Sequence, residues 1–185
     1  MDNKLTLTKM VKHFKKICQH KYYVAQYCFM CGLYWQGIMH DMSKFSPIEF
    51  FESARYYKGN DSPIKACKKD KGYSNAWFHH RGRNKHHWEF WVDELSKGMI
   101  PRKMPYKYVL ELVCDFLGAA RAYGAENFAQ EYKWWKNKRN EIVMHKATKW
   151  YVDTIFNHMN MHGVQKTLTD KHIMTHYKNE YERLK

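Results

Sequence analysis

The stretch HDMSKFSPIE, residues 40–49, combines the two features that decide how this chain folds. Its second half, SPIE at residues 46–49, predicts a helix start, with serine as the N-cap, proline at the first helical position and glutamate at the third. Its first two residues are His40 and Asp41, which stand about 100° apart if residues 33–43 form a helix. Both side chains can then face one cavity between helices. The stretch therefore predicts a helical fold with a polar group inside it.

Helical periodicity extends outward from this stretch over almost the whole chain. Only four prolines and nine glycines occur, and Gly32, Gly98 and Gly124 stand where helices are expected to end. The polar segment 58–73 is predicted to be a loop. The predicted helices are 6–31, 33–43, 46–57, 74–81, 86–98, 105–124, 126–144, 146–162 and 169–183. The sequence thus predicts an all-α bundle in a single domain, 1–185, with the C-terminal helices of 126–183 packed on the rest.

The bulk composition is that of a folded protein that stays in the cytoplasm. Hydrophobic residues make up 44% and aromatic residues 17%, which excludes a disordered chain. No apolar run approaches the roughly 20 residues that cross a bilayer, and the N-terminal MDNKLT has no apolar signal core. Five cysteines without a signal peptide argue against a disulfide framework, and the lone Cys28-x-x-Cys31 predicts reduced thiols. We therefore expect a soluble cytoplasmic protein with no membrane partner.

The charge of the chain favours an anionic partner without naming it. Lysine and arginine outnumber the acids by 32 to 18, a formal charge of +14, and such a field attracts polyanions. Nucleic acid and small phosphate-bearing substrates both fit this charge. The run KWWKNKR at 133–139 interleaves aromatic and basic residues as single-strand binders do. It fits equally a helix with tryptophan inside and lysine outside.

His20 and Asp115 are predicted to point into the core, because each belongs to an apolar stripe at helical spacing. The first stripe consists of Ile17, His20, Val24, Tyr27 and Cys31. The second consists of Leu112, Asp115, Ala119 and Ala122. A buried carboxylate without a partner is costly, so Asp115 should meet a cation. The small residues 118–120 would allow a neighbouring helix to approach it closely.

The histidines and acids follow an ordered pattern, H…HD…H…HH…D. It runs through His20, His40-Asp41, His79-His80, His86-His87 and Asp115. This pattern resembles the HD-domain superfamily of helical metal-dependent phosphohydrolases, in particular its dinuclear members, over residues 20–115. HDMSK is similar to the HD-x-x-K of some phosphodiesterase branches. The longer pattern HKYYV…GLYWQGIMHDMSKFSP…HHRGRNKHHWEFW also resembles an uncharacterised group of bacterial and phage proteins. The chain departs from this pattern at one point. His80 and His86 are close together in the sequence, whereas the corresponding ligands of dinuclear members are usually much farther apart.

The resemblance implies that a set of histidine and aspartate ligands holds one or two divalent transition metal ions. The residues implied for the first ion are His20, His40, Asp41 and Asp115. Asp41 is implied to bridge to a second ion, which His80 and either His86 or His87 would hold. Imidazole and carboxylate suit Mn, Fe, Co, Ni or Zn. Ions in such a pair activate water and hold phosphoryl oxygens.

The expected activity is that of a phosphohydrolase or phosphodiesterase acting on a nucleotide or a nucleotide-derived phosphate ester. Asp41 and Lys44 are expected to be catalytic, and Lys44, Arg81 and Arg83 to contact the phosphate. Two alternatives stay open at this point. The same ligands can serve an HD-type diiron oxygenase, or the chain can be a basic nucleic-acid-binding protein whose histidine cluster is structural or vestigial.

Overall fold

The structure is a computed structural model that describes residues 4–59, 61–96 and 98–185, and these are mostly helical. The helices are α1 (Leu7–Met30), α2 (Tyr34–Met39), α3 (Pro47–Tyr56), α4 (Pro63–Lys71), α5 (Asn75–Arg83), α6 (Tyr106–Ala122), α7 (Phe128–Lys138), α8 (Lys146–His162), α9 (Val164–Thr169) and α10 (Lys171–Arg183). Short 3-10 helices span Met42–Phe45 and Trp88–Trp91, and a hairpin is formed by β1 (Val92–Leu95) and β2 (Gly98–Pro101). The predicted all-α class is confirmed.

Two segments differ from the helices and loops predicted above. Residues 63–71 of the expected loop form α4, which has Pro63 in its first turn and ends at Gly72 with φ 81°. The helix predicted over 86–98 is wrong, because this segment holds a 3-10 turn followed by β1. Gly98 consequently begins β2 instead of ending a helix. Val92, the first residue of β1, is β-branched and favours extended backbone, but the apolar spacing of the segment did not reveal the strand.

Helices α1 and α6 pack against each other at a glycine. A Cβ atom on Gly118 would meet Cγ2 of Val24 and would lie 2.9 Å from its backbone nitrogen, so no larger residue fits without a shift. The prediction that small residues here allow a close helix approach is confirmed. His20 precedes Val24 by one helical turn, and Asp115 precedes Gly118 by nearly one turn. The close packing therefore brings these two polar residues to the same level of the bundle.

The C-terminal helices form an apolar cluster with α6. Trp135 of α7 is fully buried there, and its indole N–H donates to Oδ1 of Asp153 over 2.8 Å. Trp134 is 41% exposed, so the KWWKNKR run turns one tryptophan inward and leaves the other at the surface. None of the helices in the described ranges is long and apolar enough to span a membrane.

Candidate metal centre

His40 and Asp41 lie in a tight chain reversal, and the helix predicted through residues 33–43 is wrong at this point. Helix α2 ends at Met39, and Asp41 has left-handed backbone angles, φ 54° and ψ 26°. Aspartate tolerates this conformation better than most residues, and Asp41 is the one non-glycine residue with positive φ in the described ranges. Lys21 of α1 donates to the carbonyl oxygen of His40. The reversal is thus tied to α1, and both side chains point inward.

Four side chains converge on one point and form what we call the first group. The group consists of His20 from α1, His40 and Asp41 from the reversal, and Asp115 from α6. The Nε2 atoms of the two histidines lie 3.3 Å apart. Each of them lies 3.1–3.4 Å from Oδ2 of Asp41 and from Oδ1 of Asp115. Four ligands held tetrahedrally at about 2.0–2.1 Å from an ion are about 3.3–3.4 Å apart. The spacing of the first group fits a transition metal ion.

A second group lies on the other oxygen of the same aspartate. It consists of Asp41, His80, His86 and His87. Oδ1 of Asp41 lies 3.2 Å from Nε2 of His80 and 3.4 Å from Nε2 of His86, and Nε2 of His87 lies 2.8 Å from that of His80. Asp41 therefore offers one oxygen to each group. Both histidines left open as alternatives, His86 and His87, lie in this group.

Two of the facing atoms lack the partner that a buried polar atom normally has. Oδ1 of Asp41 and Nε2 of His86 are buried and lie 3.4 Å apart, but neither makes a well-aligned hydrogen bond with a described residue. Asp41 and His86 are only 1% and 2% exposed, so bulk water does not satisfy these atoms. Buried polar atoms without partners are rare and costly, and a bound cation would satisfy both. The donor set, imidazole and carboxylate, suits such an ion.

Lys44 carries a positive charge beside the shared aspartate. Its Nζ atom lies 2.5 Å from Oδ2 of Asp41. Burial opposes the charge on Lys44, but the Asp41 and Asp115 carboxylates together outweigh burial and raise the pKa of the ammonium above its usual value. Burial likewise opposes ionisation of Asp41, but His40 and Lys44 hold the pKa of its carboxyl well below the usual range. Asp41 is thus an ionised carboxylate at neutral pH.

Two further carboxylates orient the histidines, and the sequence analysis did not identify them. Oε1 of Glu111 accepts hydrogen bonds from Nδ1 of His40 at 3.0 Å and from Nδ1 of His86 at 3.2 Å. Oε2 of Glu49 accepts from Nδ1 of His80 at 2.7 Å. A histidine that donates from Nδ1 to a carboxylate has Nε2 free to bind a metal. Glu111, His40 and His86 could themselves enclose an ion. The hydrogen bonds between them nevertheless fit a role in which Glu111 orients the two histidines.

The signals for these carboxylates were present in the sequence but were ambiguous. Glu111 precedes Asp115 by four residues and therefore shares its inward face of α6. The sequence predicts that Glu49 helps to cap the start of α3. In the structure the Ser46 side chain makes no capping hydrogen bond, and Glu49 instead contacts His79 and His80. A glutamate at this helix position supports a histidine from another helix.

Arg81 and Arg83, which were expected to contact the phosphate, belong to neither group, and neither does His79 of the ordered pattern. His79 donates from Nδ1 to Oε1 of Glu49 at 2.6 Å and is not part of the second group. The guanidinium of Arg81 lies 4.4 Å from the ring centroid of Phe78, and Arg83 is exposed. Neither arginine belongs to the described lining of the cavity beside the groups. Their expected phosphate contacts thus have no support from their positions.

A cavity of about 240 Å³, which we call the lysine cavity, opens onto both groups from the side of α1 and α4. His20 and Asp115 of the first group line it, as do His80 and His87 of the second. Its other lining residues include Lys16, Lys44, Ile17, Pro63, Ile64 and Trp77. The cavity can hold a small anion next to Lys44 and an apolar group beside it.

In a comparison with known protein families, residues 9–158 match a family described as "Family of unknown function (DUF5662)". No curated protein and no solved structure matched the chain. The matched range includes every member of the two groups, together with Lys44, Glu49 and Glu111.

Proposed function

This chain belongs to the DUF5662 family of unknown function, and we propose that it is a metal-dependent hydrolase of phosphate esters. One observation carries the proposal: Asp41 directs one carboxylate oxygen at each of two histidine groups, and two of the facing atoms are buried without partners. A carboxylate shared between two clusters of imidazole nitrogens is a suitable bridge for a pair of divalent ions. The order of these residues along the chain, which resembles the HD-domain superfamily, supports the same conclusion.

The residues that would hold the ions follow from the two groups. His20, His40, Asp41 and Asp115 would hold one, and Asp41 with His80, His86 and His87 would hold the other. Manganese, iron, cobalt, nickel and zinc all suit these ligands. Bound ions of this kind lower the pKa of water to near neutrality and withdraw charge from phosphoryl oxygens. Glu49 and Glu111 fix the ring orientation that presents Nε2 to the centre.

Lys44 is the proposed contact for the substrate phosphate. Its ammonium is paired with Asp41, and a cation bound to Oδ2 of Asp41 would compete for the same negative charge. The ammonium would then be available to an anion in the lysine cavity, which it lines. A formal charge of +14 also favours the approach of anionic substrates. We propose a nucleotide or a nucleotide-derived ester as the substrate class.

The charge beside the centre favours hydrolysis over the two alternatives. Lys44 supplies a fixed positive charge where a phosphate would lie, for which a diiron oxygenase acting on a neutral substrate has no need. A nucleic-acid binder with a vestigial cluster does not require the 3.1–3.4 Å spacing of the first group. Both alternatives nevertheless have distinct outcomes in the experiment below.

The decisive experiment removes the carboxylate shared by the groups. Asp41→Asn keeps the size of the side chain and the tolerance of left-handed backbone, and Asp41→Ala removes the ligand completely. We expect both variants to lose bound metal and to lose at least about 100-fold in turnover of a phosphate ester. Metal content by mass spectrometry and hydrolysis of p-nitrophenyl phosphate and bis(p-nitrophenyl) phosphate are the measurements.

The matched control is Asp93→Asn, which removes the same charge from an exposed position on β1. It should retain wild-type metal content and activity. An Asp41→Ala protein with wild-type metal content and hydrolysis would contradict the proposal. Metal-loaded protein that turns over neither ester but consumes dioxygen would favour the oxygenase. Protein that binds no metal and hydrolyses nothing would favour the nucleic-acid binder.

A further inference from the structure

A second cavity, of about 410 Å³, reaches the metal groups from the side of α6 and α7. We call it the aromatic cavity, because its walls include Trp77, Trp88, Phe116 and Trp134. Lys138, Glu89 and Ile142 also line it. This cavity is separate from the lysine cavity over most of its surface, since the latter is lined mainly by residues of α1, α3, α4 and α5.

The two cavities meet at the candidate metal centre. Trp77, His87 and Asp115 line both of them. Asp115 belongs to the first group and His87 to the second, so each cavity is in contact with both groups. A phosphorus atom held at the centre would therefore have room for one substituent in each direction. A phosphate monoester has only one ester substituent, whereas a phosphodiester has two.

The walls of the aromatic cavity fit a flat ring system. Trp134 is 41% exposed and packs edge-on against Phe116, with ring centroids 5.3 Å apart. Stacking of a planar base on such an indole contributes about 1–3 kcal/mol. Oε2 of Glu89 is buried without a hydrogen-bond partner among the described residues, and this acceptor would suit a ring N–H. These features select for a planar, hydrogen-bonding group.

We propose that the substrate is a phosphodiester that occupies both cavities, with a planar aromatic ester group in the aromatic cavity and the other ester group in the lysine cavity. This inference rests on the proposed phosphoesterase function. In the reaction, the oxygen of water bonds to phosphorus while the bond from phosphorus to one ester oxygen breaks. The leaving alcohol takes up a proton that the attacking water releases. The products are a phosphate monoester and an alcohol, and no oxidant or reductant is needed.

The test compares a diester with the matching monoester. Bis(p-nitrophenyl) phosphate has two planar ester groups, and p-nitrophenyl phosphate has one. Ile142→Trp narrows the aromatic cavity and Ile64→Trp narrows the lysine cavity. In each variant we expect kcat/KM for the diester to fall at least about tenfold more than kcat/KM for the monoester, because only the diester requires both cavities. Ile38→Trp, at an exposed position on α2, is the control and should change neither value.

A third variant removes a ring without filling space. Trp134→Ala should raise KM for the diester by about 5- to 150-fold, which is the loss of one stacking contact converted at about 1.4 kcal/mol per tenfold, with metal content unchanged. Equal losses for both esters in the metal-retaining variants would overturn the two-cavity assignment. So would wild-type protein that hydrolyses only the monoester, a result that leaves the proposed function intact. Wild-type, metal-loaded protein that hydrolyses neither ester would contradict the proposed function itself.

Discussion

Lys44 is proposed to pair with Asp41 when no ion is bound and to contact the substrate phosphate when ions are bound. Its ammonium lies 2.5 Å from Asp41 and also borders the lysine cavity. Lys44→Met retains the length of the side chain but removes the charge. We expect the variant to bind metal normally and to lose about 10- to 100-fold in kcat/KM, the equivalent of one charged hydrogen bond to the phosphate. Kinetics and metal analysis on the same preparation provide the measurement.

The control for this prediction is Lys65→Met. Lys65 is 75% exposed and pairs only at the surface with Asp61 in the described structure, so its charge is far less consequential. A Lys44→Met protein with unchanged kcat/KM would show that the ammonium does not meet the substrate.

His13 is a buried histidine that the fold keeps neutral. Its ring packs between Phe50 and Tyr57, at centroid distances of 5.5 Å, and its Nδ1 has no hydrogen-bond partner among the described residues. Burial and the charge of Lys44 lower the pKa of His13 from 6.5 to about 4. At pH values between about 4 and 6.5, His13 is therefore protonated in the unfolded chain but not in the folded chain. Stability present above pH 6.5 is lost as the pH falls to about 4.

His13→Phe should remove this part of the pH dependence. Between pH 7 and 4.5 the wild-type protein should lose up to roughly 3 kcal/mol in free energy of unfolding through His13, and the variant should lose less by that amount. Urea unfolding at both pH values measures the difference. His172→Phe, at an exposed histidine of α10, should leave the dependence as in wild type. Parallel curves for wild type and His13→Phe would contradict the assignment.

The sequence indicated the histidines and aspartates of the two groups, but it did not indicate the glutamates that orient these histidines. His20 and Asp115 could be predicted because apolar neighbours at helical spacing fix which face they share. Glu111 and Glu49 could not be assigned, since a carboxylate at an inward or helix-start position has several possible partners until the helices are packed. The left-handed Asp41 was also missed, because the residues before it continue a helical pattern that ends only at the reversal.

Among the helices, the contact between α1 and α6 determines how far apart the ligands stand. Gly118→Ala would place a Cβ 2.9 Å from the backbone nitrogen of Val24, and backbone cannot move aside as a flexible side chain can. We expect a loss of about 1–3 kcal/mol in free energy of unfolding. Metal affinity should fall as well, because the shift separates His20 from Asp115. Denaturant unfolding and metal titration together measure both effects.

Gly82→Ala is the matched control within α5. A Cβ at Gly82 meets no atom within 4 Å, and alanine has the higher helix propensity, so stability should rise slightly or stay unchanged. If Gly118→Ala unfolds like the wild type and retains full metal affinity, the close contact does not position the ligands.

Element boundaries could be predicted where a single strong signal applied. Gly32 and Gly124 have positive φ at the ends of α1 and α6, as expected. The polar composition of 58–73 predicts a loop, yet residues 63–71 form α4, in which Pro63 and Cys67 are buried. The hairpin at 92–101 depends on pairing between two short strands. Such pairing leaves little trace in the spacing of apolar residues along one segment.

For the molecule as a whole, the charge of +14 predicts weak binding to any polyanion. We expect affinity for single-stranded DNA to fall steeply as salt concentration rises, because such binding depends on the release of counterions from phosphates. Asp41→Asn, which alters one charge inside the bundle, should leave this affinity and its salt dependence unchanged. Fluorescence anisotropy at several salt concentrations tests this. Tight binding that persists above about 0.3 M salt would point to a dedicated nucleic-acid site.

The hydrogen bonds of Glu111 have a consequence for how the centre fills. Its Oε1 atom holds His40 of the first group and His86 of the second. An ion that fixes His40 would also fix the Glu111 carboxylate, which orients His86. Binding of the first ion would therefore already pay part of the entropy cost of ordering the ligands of the second ion. Repulsion between two bound cations would oppose this effect, and the negative charge of Asp41, which belongs to both groups, would reduce it. We expect cooperative loading, in which the half-filled protein is scarce at every metal concentration.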